Sequence, residues 1–229
     1  MGRPANCGSA MIVLNTIMAK QLRVFKIAID ARIAKGEGKD EAILKELQAM
    51  IKNSKKIRFE GNGYGDEWVV EAEKRGLANL KDTPRALQIW HDKNVAKLFE
   101  EMGVLSPREL DARREIEFEN YVLKIQIESR LMGDLIQNNF IPAAVEYQNK
   151  LITNVQGLMN ILGDKAGKAA SKAQIEIIEK ISMHMNKMKT ASDAMLEQRK
   201  IANKLEHAED KALAYCDHVK SHFDEIRYH

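Results

Sequence analysis

Apolar side chains recur along this chain at every third or fourth position, the repeat that places them on one face of an α-helix. From Ala10 the pattern runs through Ile12, Val13, Ile17, Leu22, Phe25, Ile29 and Ile33 and stops at Gly36 and Gly38. Its first half, "SAMIVLNTIMA" at residues 9–19, is apolar on nearly every side and is expected to be buried inside a larger protein. A second amphipathic helix uses Ile43, Leu44, Leu47 and Ile51 and ends near Asn53. The pattern then breaks at "IRFEGNGYG", which holds too many glycines for a helix interior. Asp66 is the expected N-cap of "EWVVEAEKRG", which closes at Gly76, and Thr83 before Pro84 starts the short helix "PRALQIWHD".

The clearest helix start is "SPREL": Ser106 caps, Pro107 suits the first helical position, and Glu109 completes a capping box. The repeat then continues through Leu110, Ile116, Tyr121, Ile125, Leu131, Leu135, Val145, Leu151 and Val155 to Gly163. Pro142 lies inside it and is expected to kink the helix, because it lacks an N–H and crowds the carbonyl of Asn138. "GDKAGKAA" reads as a turn. "SKAQ" at residues 171–174 reads as a second capping box, opening one last long helix that carries Ile178, Ile181, Met185, Met188, Met195, Ala202, Leu205, Ala212, Val219 and Phe223. The spacing drifts near Arg199, so the repeat is not a strict heptad. The fold class is all-α, a helical bundle dominated by a long antiparallel hairpin, with one long helix kinked near Pro142. Three parts follow: helices in 1–53, an irregular connection with short helices in 54–105, and long helices in 106–229.

Composition strengthens the helical reading, with only 4 prolines and 6% aromatics in 229 residues. Lysine plus arginine number 36 against 33 acidic residues, interleaved along the chain, so there is no basic stripe of the kind nucleic acid needs. Cys7 and Cys216 stand at opposite ends, which argues against a disulfide framework and fits a reducing cytoplasm. Residues 9–19 are too short to span a membrane and include Asn15, and Ile17 is a poor residue for signal cleavage after Ala19.

Candidate chemistry is sparse. "GDKAGKA" has Ala169 where a phosphate loop needs Ser or Thr, and it follows a helix rather than a strand, so it is read as a turn. His218 and His222 are four apart and would share a helical face near Cys216; they are the metal candidates, with chance or solvated histidines the favoured reading because no second ligand cluster is evident. Met183, Met185 and Met188 beside His184 are read as core rather than a soft-metal site. Glu115, Glu117 and Glu119 point to different sides of a helix and cannot converge. No catalytic constellation and no cofactor site is read from composition or spacing.

"ANCGSAMIVLNTIMAKQL" at residues 5–22 resembles the closing helix of the catalytic domain in type III glutamine synthetases. "IRFEGNGYGDEWVVEAEKRGLANLKDTPRAL", "LFEEMGVLSPRELDAR" and "IPAAVEYQNKL" resemble that family's C-terminal helical region, in the same order. The resemblance implies a parent activity that joins ammonia to glutamate with ATP and Mg or Mn. Its metal, nucleotide and glutamate ligands lie upstream of the region where this chain begins. "GRPAN" departs from the small residues the family tends to have there. The implied role is structural, assembling a homo-oligomer, as the family's rings suggest, without catalysis of its own; a free-standing helical adaptor for another protein is the alternative. Under the family reading the 1–53 helices close the catalytic domain. Phe59, Gly61, Asn62, Gly63, Tyr64 and Trp68 then form a structural loop joining it to the appended helices, with the two aromatic residues and Phe59 packing the loop down.

Overall fold

The computed structural model describes residues 7–229, and every regular element among them is helical. Ala5, Asn6 and the "GRPAN" departure lie outside the described residues. The chain divides into two compact units that meet in sequence at Arg114 and Glu115.

In the first unit α1 (Gly8–Ile33) and α2 (Lys39–Asn53) form a helical hairpin. The turn between them is held by ion pairs of Arg32 with Glu46 and Glu37, and by Lys45 with Glu37 at 3.2 Å. Then follow α3 (Asp66–Lys74), α4 (Thr83–Leu87) and α5 (Lys93–Glu101). Phe99, Leu105 and Leu110 make the buried core, onto which Ile12, Val13, Trp90 and Val95 pack. Lys20 pairs with Glu101, and the Arg23 guanidinium donates to the Glu101 carbonyl at 3.3 Å, which ties α1 to α5.

Within this chain α1 is largely uncovered. Thr16 is its one buried residue, whereas Leu14, Met18, Leu22 and Ile27 are each 60% or more exposed. Ile12 and Val13 pack onto the core and Phe25, Ala28 and Ile29 are half-buried, but no described residue buries Leu14, Met18 or Leu22.

Helix ends follow the glycines. After α3, Gly76 adopts φ 71° and the Leu77 N–H reaches the Ala72 carbonyl at 2.9 Å, the left-handed closure that satisfies orphan carbonyls. Two starts shift by one residue: Gly65, not Asp66, precedes α3 without a side-chain cap, and Asp82, not Thr83, caps α4 by accepting from the Arg85 N–H at 2.9 Å. An aspartate carboxylate reaches an N–H two or three residues on, so it competes well with a following threonine for the cap.

The second unit comprises α6 (Pro107–Leu135) from Glu115 onward, α7 (Ile141–Leu162), α8 (Asp164–Ala170), α9 (Lys172–Asn203), α10 (Ala208–Ala214) and α11 (His222–Tyr228). A π-helical turn, Ile136–Phe140, links α6 to α7, so Pro142 falls near the start of a new α-helical run, where its missing N–H is tolerated. The expected turn at residues 163–170 is itself mostly helix, α8. Helix α9 runs antiparallel to the α6–α7 path: Gln148 reaches Ser182 at 2.6 Å, Gly133 faces Leu196, and Gln126 lies 3.4 Å from Asn203.

Two further expectations are corrected. Ser171 is not a capping box; its hydroxyl is buried and donates to the Gly167 carbonyl at 2.7 Å. The last long helix is broken: the chain turns at residues 204–207 and returns along α9 through α10, a π-helical turn at Tyr215–Val219, and α11. Tyr215, Val219, Phe223 and Ile226 are buried by this return, and the Tyr215 hydroxyl donates to Asn203 at 2.7 Å.

Candidate functional site

The glycine-rich loop between the 3-10 turn Ser54–Ile57 and α3 is ordered by its own side chains. Asn62 folds it: the Tyr64 N–H donates to Asn62 Oδ1 at 3.1 Å and the Gly65 N–H to the Asn62 carbonyl at 3.0 Å. Phe59 stacks on Trp68 with centroids 4.5 Å apart, and the Arg75 guanidinium lies 5.5 Å from the Trp68 ring centroid. Arg75 is fixed in turn by Glu71 at 2.7 Å and by the Arg58 carbonyl at 2.7 Å. A cation over an indole contributes about 0.5–1 kcal/mol at such an exposed place. Gly61 is required beneath the Phe59 ring, since a Cβ there would stand 2.5 Å from it. Gly63 has open space around it. Tyr64, expected to pack with Phe59 and Trp68, is instead fully exposed at 102%. The Asn62 turn already closes the loop and aims position 64 outward.

The histidine candidates part company. His218 is exposed in the π-helical turn and His222, half-buried, opens α11, so the α-helical register that would put them on one face is interrupted. Cys216 is half-buried. Among the described residues no three histidine, cysteine, aspartate or glutamate side chains converge as a metal site. No described helix is long and apolar enough to cross a membrane.

The sequence does not disclose a cavity of about 1020 Å³ in the second unit, between α6, the π-helical turn at Ile136–Phe140, α9 and α11. Its lining includes Met185, Met188 and His184, from the group read from sequence as core, of which only Met188 is buried while Met183 is 44% exposed, and His229, whose Nδ1 stands 3.1 Å from Nδ1 of His184. The Met-rich repeat was the available signal. The missing information was the break at residues 204–207, which brings the last residues of the chain alongside α9.

An all-helical protein with an aromatic-clamped glycine loop, a capped long helix and a helical hairpin is the class these features define. The family model described as "Glutamine synthetase C-terminal domain" matches residues 42–159, from α2 through most of α7. The chain belongs to that family. It is similar over its whole length, at 40% identity in 228 residues, to the glutamine synthetase of Bacteroides fragilis (strain YCH46). It is 33% identical over 81% of its length to the type-3 glutamine synthetase of Dictyostelium discoideum, and 31% identical over 90% to the glutamine synthetase of Butyrivibrio fibrisolvens. It spans 31%, 25% and 29% of those relatives and corresponds to their C-terminal region.

Proposed function

We propose that this chain is the C-terminal helical module of a type-3 glutamine synthetase, acting in the cytoplasm to assemble the enzyme rather than to carry its chemistry. The parent reaction is ligation of ammonia to glutamate at the expense of ATP, with Mg or Mn. Residues for that chemistry are assigned to the part of the enzyme upstream of the matched region. One observation carries the reading: α1 presents Leu14, Met18 and Leu22, which share one helical face, with no cover from this chain, while residues 5–22 resemble the helix that closes the catalytic domain. Exposing a contiguous apolar face costs free energy, and such faces mark surfaces meant for a partner. The partner is the rest of the synthetase, and neighbouring subunits of a homo-oligomer beyond it. The Phe59–Trp68 stack then makes the loop a rigid connector between the two.

Co-expression with the Bacteroides fragilis synthetase truncated before its matched region tests this. Recovery of the two as one complex, with synthetase activity that neither piece has alone, is the expected result. Failure to associate, together with an immunoblot band at 26.0 kDa in the source cells, would favour the free-standing adaptor.

A further inference from the structure

We propose that the cavity where α2 and α3 end, in the first unit, binds a small polyanion of linked phosphates; the proposal is independent of any assembly role. The cavity measures about 670 Å³, within the range that ligand pockets span. It is lined by Lys52 from the last turn of α2, by Lys55, Lys56, Arg58 and Glu60 in the chain that follows, and by Arg75 at the end of α3. Arg75 ties these pieces together. Its Nε donates to Glu71 Oε1 at 2.7 Å, and its Nη1 donates to the Arg58 carbonyl at 2.7 Å and the Lys56 carbonyl at 3.4 Å, so the backbone that carries the cations is fixed to α3. A Cβ on Gly76 would stand 3.6 Å from Lys56 Nζ, which places that ammonium beside the closing turn of α3.

Five cations line this cavity against one lining carboxylate, Glu60, and a second carboxylate, Glu71, pairs with Arg75, which leaves an excess of three positive charges. That excess equals the formal net charge of the whole chain, +3, so the charged side chains elsewhere balance. Glu73 and Lys74, nearby on α3, lie outside the lining and offset each other. The basic side chains of α1 and α2 away from the cavity find partners: Lys20 pairs with Glu101, Lys26 with Asp30, Arg32 with Glu46 and Lys45 with Glu41. No described carboxylate pairs with Lys52, Lys55, Lys56 or Arg58. The carbonyl ends of α2 and α3 offset about half a charge each, which lessens the excess without cancelling it. Like charges held around one concavity repel, and an anion seated among them removes that repulsion while accepting charge-assisted hydrogen bonds. The lining also narrows the kind of anion. Every lining side chain is charged or, at Asn53, polar, so a carbon skeleton gains no apolar burial and a nucleobase meets no aromatic ring. Linked phosphates carry several charges in a small volume and present acceptor oxygens on all sides, which suits a lining of ammonium and guanidinium groups.

Calorimetric titration of the full chain with tripolyphosphate, free of divalent metal, tests the proposal, beside ATP and hexaglutamate. Saturable one-to-one binding of tripolyphosphate is expected, with ATP no tighter and hexaglutamate weaker by about tenfold or more. Lys52→Gln with Lys55→Gln lowers tripolyphosphate affinity by about tenfold or more, and Glu60→Gln raises it about two- to fivefold. All three positions are exposed, and unchanged circular dichroism checks the fold of each variant. The gain in Glu60→Gln is a change that damage to the fold would not produce. Absence of saturable binding overturns the proposal. So does an equal loss from Lys165→Gln with Lys168→Gln, two exposed lysines of α8 outside the cavity, which marks a general attraction to basic surface. Hexaglutamate binding as tightly as tripolyphosphate overturns it in favour of an acidic protein surface, and ATP binding more than about tenfold tighter does so in favour of a site that reads the base.

Discussion

Gly157 and Gly167 look alike in the sequence and sit in opposite surroundings. A Cβ at Gly157, inside α7, meets nothing within 4 Å. A Cβ at Gly167, inside α8, would stand 2.6 Å from the Met159 Cα and 2.9 Å from the Leu158 carbonyl, both backbone atoms that cannot swing aside. Gly157→Ala is therefore expected to stabilise by about 0.5–1 kcal/mol, the usual gain from alanine over glycine in a helix. Gly167→Ala should cost about 1–3 kcal/mol, as overpacking does, by prising α8 from α7. Urea unfolding followed by helical circular dichroism separates the two signs. At Gly61 the obstacle is the Phe59 ring, so Gly61→Ala should displace that ring from Trp68 and forfeit about 0.5–1.5 kcal/mol of stacking. The change would show as a loss of near-ultraviolet dichroism. Sequence marked this loop correctly as a break in the helical pattern, but the outward Tyr64 was illegible, because an aromatic residue in a loop carries no sign of which way an asparagine turn will point it.

The two Ser-x-x-Glu/Gln elements show what a local motif can and cannot decide. At Ser106 the box forms in full: the Ser106 N–H and hydroxyl each donate to Glu109 Oε2 at 2.8 Å, and the Glu109 N–H returns to the hydroxyl at 3.3 Å. At Ser171 the preceding residues are already helical as α8, so the hydroxyl is drawn back to the Gly167 carbonyl. A capping box specifies a helix start only where the chain arrives extended, and the arrival is set by tertiary packing. The same limit hid the break at residues 204–207. Lys204, Leu205 and Glu206 are ordinary helix formers, with no glycine or proline among them, yet burial of Tyr215, Val219 and Phe223 against α9 outweighs their propensity. The drift near Arg199 was the sole trace. The helical class, α2, the Ser106 start and the antiparallel arrangement of the long helices were all legible, since each follows from a periodic face or a cap. Ser106→Ala is expected to cost about 1 kcal/mol. The bonds from the Ser106 backbone and hydroxyl hold the Glu109 carboxyl below its ordinary range. Its folded-state value lies under the unfolded one, so its stabilisation is present above the ordinary carboxylate range and is lost as pH falls through the folded value. Stability of Glu109→Gln should accordingly fall less steeply on acidification than that of the unaltered chain, as measured by urea midpoints across the acidic range.

At the scale of the whole molecule, α1 carries an apolar face at Leu14, Met18 and Leu22 that the described residues leave uncovered. Thr16 bonds to the Ile12 carbonyl at 2.7 Å on the buried side, while Leu14 and Leu22, exposed at 66% and 60%, lie away from the core that holds Ile12 and Val13. If that face is built for the remainder of a synthetase, then in isolation it should find the next best apolar surface, its own copy. Full burial of a leucine side chain is worth about 1.5–3 kcal/mol, and partial burial in a makeshift pair less. Leu14→Glu with Leu22→Glu should then weaken self-association by about 2–4 kcal/mol, one to three orders of magnitude in the association constant. The core at Phe99, Leu105 and Leu110 does not involve either leucine, so the variant should fold with unchanged helicity. Light scattering over a concentration series checks this. A chain that is monodisperse and monomeric before any substitution would remove the support for an assembly role. Oligomers that dissociate in the variant, with loss of capture by the truncated Bacteroides fragilis enzyme in the same variant, would place assembly and docking on one helix face.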